Sequence, residues 1–215
     1  VCARTEHHAG RELPAVDRKR MRRLAHDEGR HWTETQALAQ GTVEVLQQIG
    51  QQLGYTVHPI QKLEVKGAPV SASRIRQLLQ AGHVEDIPPL LGRSFALVGE
   101  VVRGDQRGRT IGFPTANLAV GPQHLLPADG VYACRVALPD GSDHPAVTNV
   151  GVRPTFGMLS RAVEAHLLDW SGDLYEQIIR IAFVRRIRGE QKFSGIDVLK
   201  AQIMRDVAHA RELLN

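Results

Sequence analysis

Cysteine, aromatic residues and long apolar runs are all scarce in this chain of 215 residues. Cys2 and Cys134 stand far apart with no second Cys or His at metal-ligand spacing, which excludes a disulfide framework and a zinc site and predicts two free thiols. No stretch reaches the roughly eighteen consecutive apolar residues that a membrane-spanning helix needs. The first residues also lack the apolar core of a secretory signal, so the expected location is cytoplasmic. Aromatics make up only 5%, thin for a surface that stacks bases. What is present is a mild excess of positive charge, +4 with a pI near 9.4, suited to phosphate-bearing small molecules as much as to nucleic acid. An apolar fraction of 42% is enough for a packed core.

Three zones follow one another. Residues 1–40 carry eight Lys/Arg against six Asp/Glu and four of the ten histidines, with the cluster RKRMRR at Arg18 to Arg23 and little apolar periodicity. They read as a basic, His-rich tail of uncertain order. The His7–Gly10 stretch, HHAG, lacks the preceding strand and following helix that a nucleotide-binding motif requires. Residues 41–92 carry Val43, Leu46, Ile49 and Leu53 at helical spacing with Gly54 after them, then YTVHPI as a short strand. A second helix follows in SASRIRQLLQAG, with Ser71 or Ser73 as N-cap and Gly82 as the stop. Such a helix, strand and helix either pack on the following domain or end a larger α/β domain.

Residues 93–215 change texture to short β-rich runs punctuated by Gly, Pro and Asp: FALVGEVV, GVYACRVAL, AVTNVGV, AVEAHLLDW and QIIRIAFV. Tyr132, Cys134, Val136 and Leu138 alternate as in a half-buried strand, and the spacing predicts a small antiparallel barrel or sandwich. One amphipathic helix closes the chain, with Ile196, Leu199, Ile203, Val207, Ala210 and Leu214 on its apolar side and Ser194 with Asp197 resembling a capping box.

Within this zone GEVVRGDQRGRTIGFPTANL is a strand running into a glycine-rich loop that returns through Pro114. Gly99, Gly104, Gly108 and Gly112 allow close backbone approach, Arg103, Arg107 and Arg109 add charge, and backbone N–H groups in such a loop form an anion-binding concavity. A flexible hairpin connection is the alternative. No Gly-Lys-Ser/Thr follows, and strands rather than a helix surround the loop, so neither the Walker loop nor the dinucleotide fingerprint fits. Thr115 and Asn117, two apart in an extended segment, offer hard neutral oxygens on one side, fit for Mg²⁺ shared with phosphate or else for stabilising a turn. In VEAHLLDW, alternation turns Val163, Ala165 and Leu167 inward and leaves Glu164 and His166 together on the other face. That face is either plain solvent or, beside a phosphate loop, the place for a carboxylate base.

GEVVRGDQRGRTIGFPTANL, LLPADGVYACRV, NVGVRPTFG, VEAHLLDWSGDLYEQ and EQKFSGIDVLKAQIMRDV together resemble the riboflavin kinase family, in particular the C-terminal kinase module of bacterial bifunctional riboflavin kinase/FAD synthetases, over about Phe95 to Leu214. The resemblance implies a six-stranded antiparallel Greek-key barrel with a C-terminal helix. It implies an enzyme that transfers the γ-phosphoryl of ATP to the 5′-hydroxyl of riboflavin, giving FMN. By position, Thr115 and Asn117 match the residues holding Mg²⁺ and nucleotide phosphates, and Glu164 matches the catalytic glutamate. Gly104, Asp105, Arg107, Gly108, Arg109 and Gly112 match the flap over the nucleotide, with Pro114 after it. Gly151 to Gly157 matches a second mobile loop, and Arg188 an arginine near the flavin.

GAPVSASRIRQLLQAGHVEDIPPLLGRSF resembles the end of the adenylyltransferase module of those enzymes, with Ser71, Ser73 and Arg76 as a remnant of its nucleotide motif. Its His-containing phosphate motif has no match in these 215 residues, so FAD synthesis is expected to be absent from them. Two other functions compete: a small basic β-barrel that binds nucleic acid, which the scarcity of aromatics opposes, and an inactive flavin-binding remnant. Small-molecule substrates and no membrane are expected as partners, and self-association stays open.

Overall fold

The computed structural model describes residues 3–4, 43–54, 56–59, 63–104, 106–121, 123–155 and 158–215. The Arg18 to Arg23 cluster and the His7–Gly10 stretch lie outside them. The chain forms two compact units, Val1–Leu63 and Glu64–Asn215. In the first, β1 (Ala3–Arg4) pairs antiparallel with β2 (His58–Pro59), and α1 (Val43–Leu53) occupies the predicted helical run. Gly54 follows it at φ +74°, a left-handed residue that ends a helix without steric cost.

The second unit opens with a hairpin, β3 (Glu64–Val65) and β4 (Ala68–Pro69), whose turn residues Lys66 and Gly67 both take positive φ, as a tight two-residue hairpin demands. Arg74 Nη1 holds it from α2 (Ala72–Ala81) by donating to Val65 O at 3.2 Å and Ala68 O at 3.0 Å. Of the two candidate caps, Ser71 is the one used: its Oγ accepts from Arg74 N at 3.2 Å. Gly82, at φ +83°, closes the helix. A 3₁₀ turn (Val84–Asp86) and α3 (Pro88–Leu91) lead into the barrel. Leu79, Val84 and Ile87 are fully buried in the same apolar cluster as Tyr132 and Phe183. Residues 79–87 therefore pack on the barrel.

Six strands close the barrel: β5 (Ala96–Val102), β6 (Ala116–Leu118), β7 (Gly130–Ala137), β8 (Asp143–Thr155), β9 (Met158–Leu167) and β10 (Ile178–Arg188). Their order is β5, β6, β9, β8, β7, β10 and back to β5, every pair antiparallel. Closure leaves no open sheet edge. Alternation sends Val101, Leu118, Tyr132, Cys134, Val150, Val163, Ala165, Ile181 and Phe183 inward to fill the interior. Tyr132 and Phe183 meet edge to face at 5.3 Å, and the Tyr132 hydroxyl donates to Ala128 O at 2.5 Å.

Three local details differ from the sequence expectation. β7 is buried on both faces rather than one, because α5 (Ile196–Leu214) covers its outer side: Val131 and Ala133 pack with Val147, Leu168, Ala210 and Leu214. Gly195, not Ser194, caps that helix, and no side chain bonds the cap; Ser194 stands one residue too early to reach the first-turn N–H groups. The apolar series along α5 is buried only toward its C-terminal end, and Ile196 is 61% exposed. The helix is tied down by a bidentate pair: Arg188 Nε and Nη2 donate to Asp206 at 3.0 and 2.8 Å, with Asp206 only 3% exposed. Arg135 Nη2 adds a bond to Leu214 O at 2.5 Å.

Burial pushes the Cys134 thiol from 9.0 up to about 12, and pushes the Tyr132 phenol from 10.0 up to about 12 against the nearby Arg186 and Arg161 charges. Both groups hold their protons more tightly folded than unfolded. The stability they contribute is therefore complete below pH about 9 and is lost as pH rises toward about 12. Urea midpoints should fall across that window, and Cys134→Ala should make the fall shallower; an unchanged pH slope in the variant would remove Cys134 from the account.

Candidate active site

The register of three neighbouring strands assembles the site. Asn117 in β6 is the pairing partner of Glu164 in β9, and Glu164 is in turn the partner of Asn149 in β8. Directly paired residues put their side chains on one sheet face about 5 Å apart. Since Ala116, Leu118, Val163, Ala165 and Val150 fill the interior, the row Asn117, Glu164 and Asn149 stands on the outer face. Thr115 lies just before β6, with its methyl 3.5 Å from the position a Cβ on Gly108 would take. A carboxylate flanked by two carboxamides can accept a proton while the neighbouring donors fix its orientation.

The glycine-rich loop folds back onto this row. Gly104 lies against Asn117 so closely that a Cβ there would come to 2.6 Å of the Asn117 amide nitrogen. A Cβ on Gly108 would collide with the Phe113 carbonyl and reach 3.5 Å from the Thr115 methyl. At Gly108 the clash is with backbone and glycine is required, whereas at Gly104 a methyl would push the Asn117 side chain aside; Thr115 and Asn117 thus line a tight cradle. Within the loop, residues 107–110 form one helical turn, α4 (Arg107–Thr110), which the sequence did not announce. The N–H groups of Arg109, Ile111, Gly112 and Phe113 bond to Gln106, Gly108, Arg109 and Gly108 carbonyls at 2.8 to 3.2 Å. Those four donors are spent inside the loop, so its attraction for anions rests on other groups, Arg103 and Arg109 among them. Arg103 itself lies over the Tyr175 ring at 5.3 Å.

His166, on the same face of β9 as Glu164, anchors the return of the loop. Its Nδ1 bonds the Pro114 carbonyl oxygen at 2.8 Å, and its ring meets Phe113 edge to face at 5.6 Å.

Among the residues singled out from sequence, Asn117 and Glu164 pair directly, Gly104 packs against Asn117 and Gly108 against Thr115. Gly112 stands in the loop at φ +93°, Pro114 presents its carbonyl to His166, and Arg109 is exposed. Arg107 contributes backbone to α4, and Asp105 lies outside the described residues. Gly151 to Thr155 is not a loop: it is the end of β8, paired with Met158–Ala162 of β9, and its last two expected members lie outside the described residues. Arg188 stands three strands from Glu164, through Asn149 and Val131, and its guanidinium is engaged by Asp206 and by Gly189 O at 2.9 Å. Asn149 was missed in the sequence; its alternation with Val147 and Gly151 was readable, but its pairing with Glu164 was not.

Among the described residues no group of three or more His, Cys, Asp or Glu is placed to hold a metal. The two neutral oxygens of Thr115 and Asn117 in a cradle of glycine backbone suit Mg²⁺, which keeps several waters and takes most of its remaining ligands from phosphate.

The family model for riboflavin kinase, described as "Flavokinase: Riboflavin kinase", matches residues 91–214. The bifunctional riboflavin kinase/FMN adenylyltransferase of Escherichia coli K12 is 40% identical over 173 residues, covering 80% of this chain and 55% of the relative. The Bacillus subtilis enzyme of the same description is 39% identical over 154 residues, covering 70% of this chain and 48% of the relative. The chain thus spans about half the length of the curated relatives it matches. Among solved structures, one titled a macrolide-efflux protein from Streptococcus pneumoniae superposes with a TM-score of 0.71 at 32% identity, covering 80% of this chain and 56% of that one. In this chain no helix among the described residues is long and apolar enough to cross a membrane.

Removing the anchor of the loop tests the local geometry. His166→Ala should speed amide exchange of residues 107–113 by about tenfold while costing about 1 kcal/mol of global stability, the worth of one hydrogen bond. Unchanged exchange there would mean that His166 does not hold the loop.

Proposed function

The chain belongs to the riboflavin kinase family, and from that premise we propose that its barrel transfers the γ-phosphoryl group of ATP to the 5′-hydroxyl of riboflavin, giving FMN and ADP, in the cytoplasm. The observation that carries the proposal is the register: Glu164 stands directly across from Asn117, and Thr115 lies two residues earlier in the chain.

Phosphoryl transfer asks the protein for position and charge neutralisation more than for covalent chemistry. The loop around Gly104 to Gly112 covers the nucleotide phosphates, with Asp105, Arg107, Gly108 and Arg109 in it and Pro114 at its return. Thr115 and Asn117 would hold Mg²⁺, which neutralises charge on the phosphate oxygens. Glu164 aligns the ribityl hydroxyl and takes its proton. The hydroxyl oxygen forms the new bond to the γ-phosphorus as the bond to the β–γ bridging oxygen breaks, and ADP leaves with that electron pair. Asn117 and Asn149, on either side, keep the carboxylate aimed outward from the sheet.

Incubating the purified chain with riboflavin, ATP and Mg²⁺ and separating the flavins by chromatography should yield FMN, and no FAD from these 215 residues. Folded protein that makes no FMN would sink the proposal. Glu164→Gln should lower turnover by about 10²- to 10⁴-fold, the usual contribution of a general base, with ATP affinity largely kept. Gly104→Ala should instead raise the KM for ATP, because its methyl displaces the Asn117 side chain.

A further inference from the structure

In an in-line displacement the attacking oxygen and the leaving group lie on opposite sides of the phosphorus. On the riboflavin kinase reading, Mg²⁺ held by Thr115 and Asn117 would put the phosphates on the β6 side of Glu164. The hydroxyl-bearing substrate therefore reaches Glu164 from its other side, over the outer face of β8, where Asn149 and Gly151 lie. That face has an occupant from a distant part of the chain. A Cβ on Gly151 would run into the Glu190 carboxylate, whose Cδ would lie at 3.0 Å, and would come to 3.5 Å of Asn149 Nδ2.

Glu190 belongs to the connection between β10 and α5, residues 189–195, which has no regular secondary structure and no hairpin partner of its own. Its conformation is set at the base by Arg188. The Arg188 fork is clamped to Asp206, Nη1 donates to Gly189 O at 2.9 Å, and the guanidinium sits 5.6 Å from the Phe193 ring centroid. Asp206 is itself held from within α5, where Gln202 Nε2 donates to its Oδ1 at 2.9 Å. The aspartate is 3% exposed and the arginine 15%, so the pair is fixed in a largely dry seam between helix and barrel.

We propose that Asp206 is a positioning residue for the flavin substrate: through Arg188 it sets the 189–195 connection so that the Glu190 carboxylate lies on Gly151 beside Asn149, forming the wall against which the acceptor is held for Glu164. This rests on the riboflavin kinase reading of the Glu164 row. Asp206 touches no reacting atom; it acts on where Glu190 and Phe193 stand. Gly151 is the second requirement, since any side chain there evicts Glu190.

The test compares the full chain with Asp206→Asn, Asp206→Glu, Gly151→Ala, Glu190→Gln and the double variant Asp206→Asn/Glu190→Gln. Riboflavin binding is read by quenching of its own fluorescence without ATP, and KM for riboflavin and for ATP is read in turnover. Asp206→Asn and Gly151→Ala should each weaken riboflavin binding and raise its KM by about ten- to a hundredfold, the usual cost of misplacing a bound reactant by an ångström, with the KM for ATP unchanged. Asp206→Glu should recover part of the loss, and the double variant should be no worse than Glu190→Gln, because both substitutions act on one device. The proposal is overturned if Asp206→Asn only lowers the urea midpoint while riboflavin binding by the folded protein stays within about twofold, if the KM for ATP rises equally, or if the two substitutions multiply. Gly151→Ala, distant from the ion pair, decides the matter should Asp206→Asn not fold. A wild-type chain that binds riboflavin but makes no FMN would instead fail the kinase reading, and the binding arm would still test the wall.

Discussion

Closure of the barrel fixes the register of every strand, and the register decides which residues face the core and which face outward. Side chains alternate with a period of two, so a slip of one residue between β6 and β9 would drive Glu164 into the apolar interior and turn Ala165 outward. The buried inward set, with Val163, Ala165, Leu118 and Val150 all nearly or wholly inaccessible, makes that slip costly and holds the outer row Asn117, Glu164 and Asn149 in line. The core thereby stabilises the site without contributing an atom to it.

Each surrounding element acts on that row from a different direction. The glycine-rich loop comes in from β5 and closes on Asn117 and Thr115 at Gly104 and Gly108. His166 pins the loop's return one step along the same strand face as Glu164. On the far side, α5 reaches the row only indirectly, through Asp206, Arg188 and the connection that lays Glu190 on Gly151. The charged pair is the most buried ion pair among the described residues, and it sits where helix and barrel meet rather than at the carboxylate. Buried pairs of this kind commonly fix one arrangement rather than add net stability. Arg188 shows the consequence: the resemblance assigns it to the flavin, while its five donors are largely taken by Asp206 and Gly189.

Much was legible in the sequence because the informative signals are local. Helix α2, its Ser71 cap and its Gly82 stop follow from residues within one helical turn. The inward phase of Val163, Ala165 and Leu167, and with it the outward phase of Glu164 and His166, follows from alternation alone. The failures are local signals overruled by distant partners. Ser194 and Asp197 have the spacing of a capping box, yet the helix begins at Gly195; β7 has the pattern of a half-buried strand, yet α5 covers its second face. Gly151 to Thr155 has the Gly and Pro content of a loop, yet pairing with Met158 to Ala162 holds it as strand.

By itself, then, the sequence determined most of the barrel strands, the cap and stop of α2, the close approach of the chain at Gly104 and Gly108, and the outward face of β9 on which Glu164 stands. Periodicity and backbone sterics are properties of neighbouring residues, and no fold is needed to read them. Only the tertiary structure decided that Asn117 and Asn149 flank Glu164, that α5 seals β7, and that Asp206 clamps Arg188. Those relations join residues at least 15 positions apart, and they exist because six strands close in one order and register.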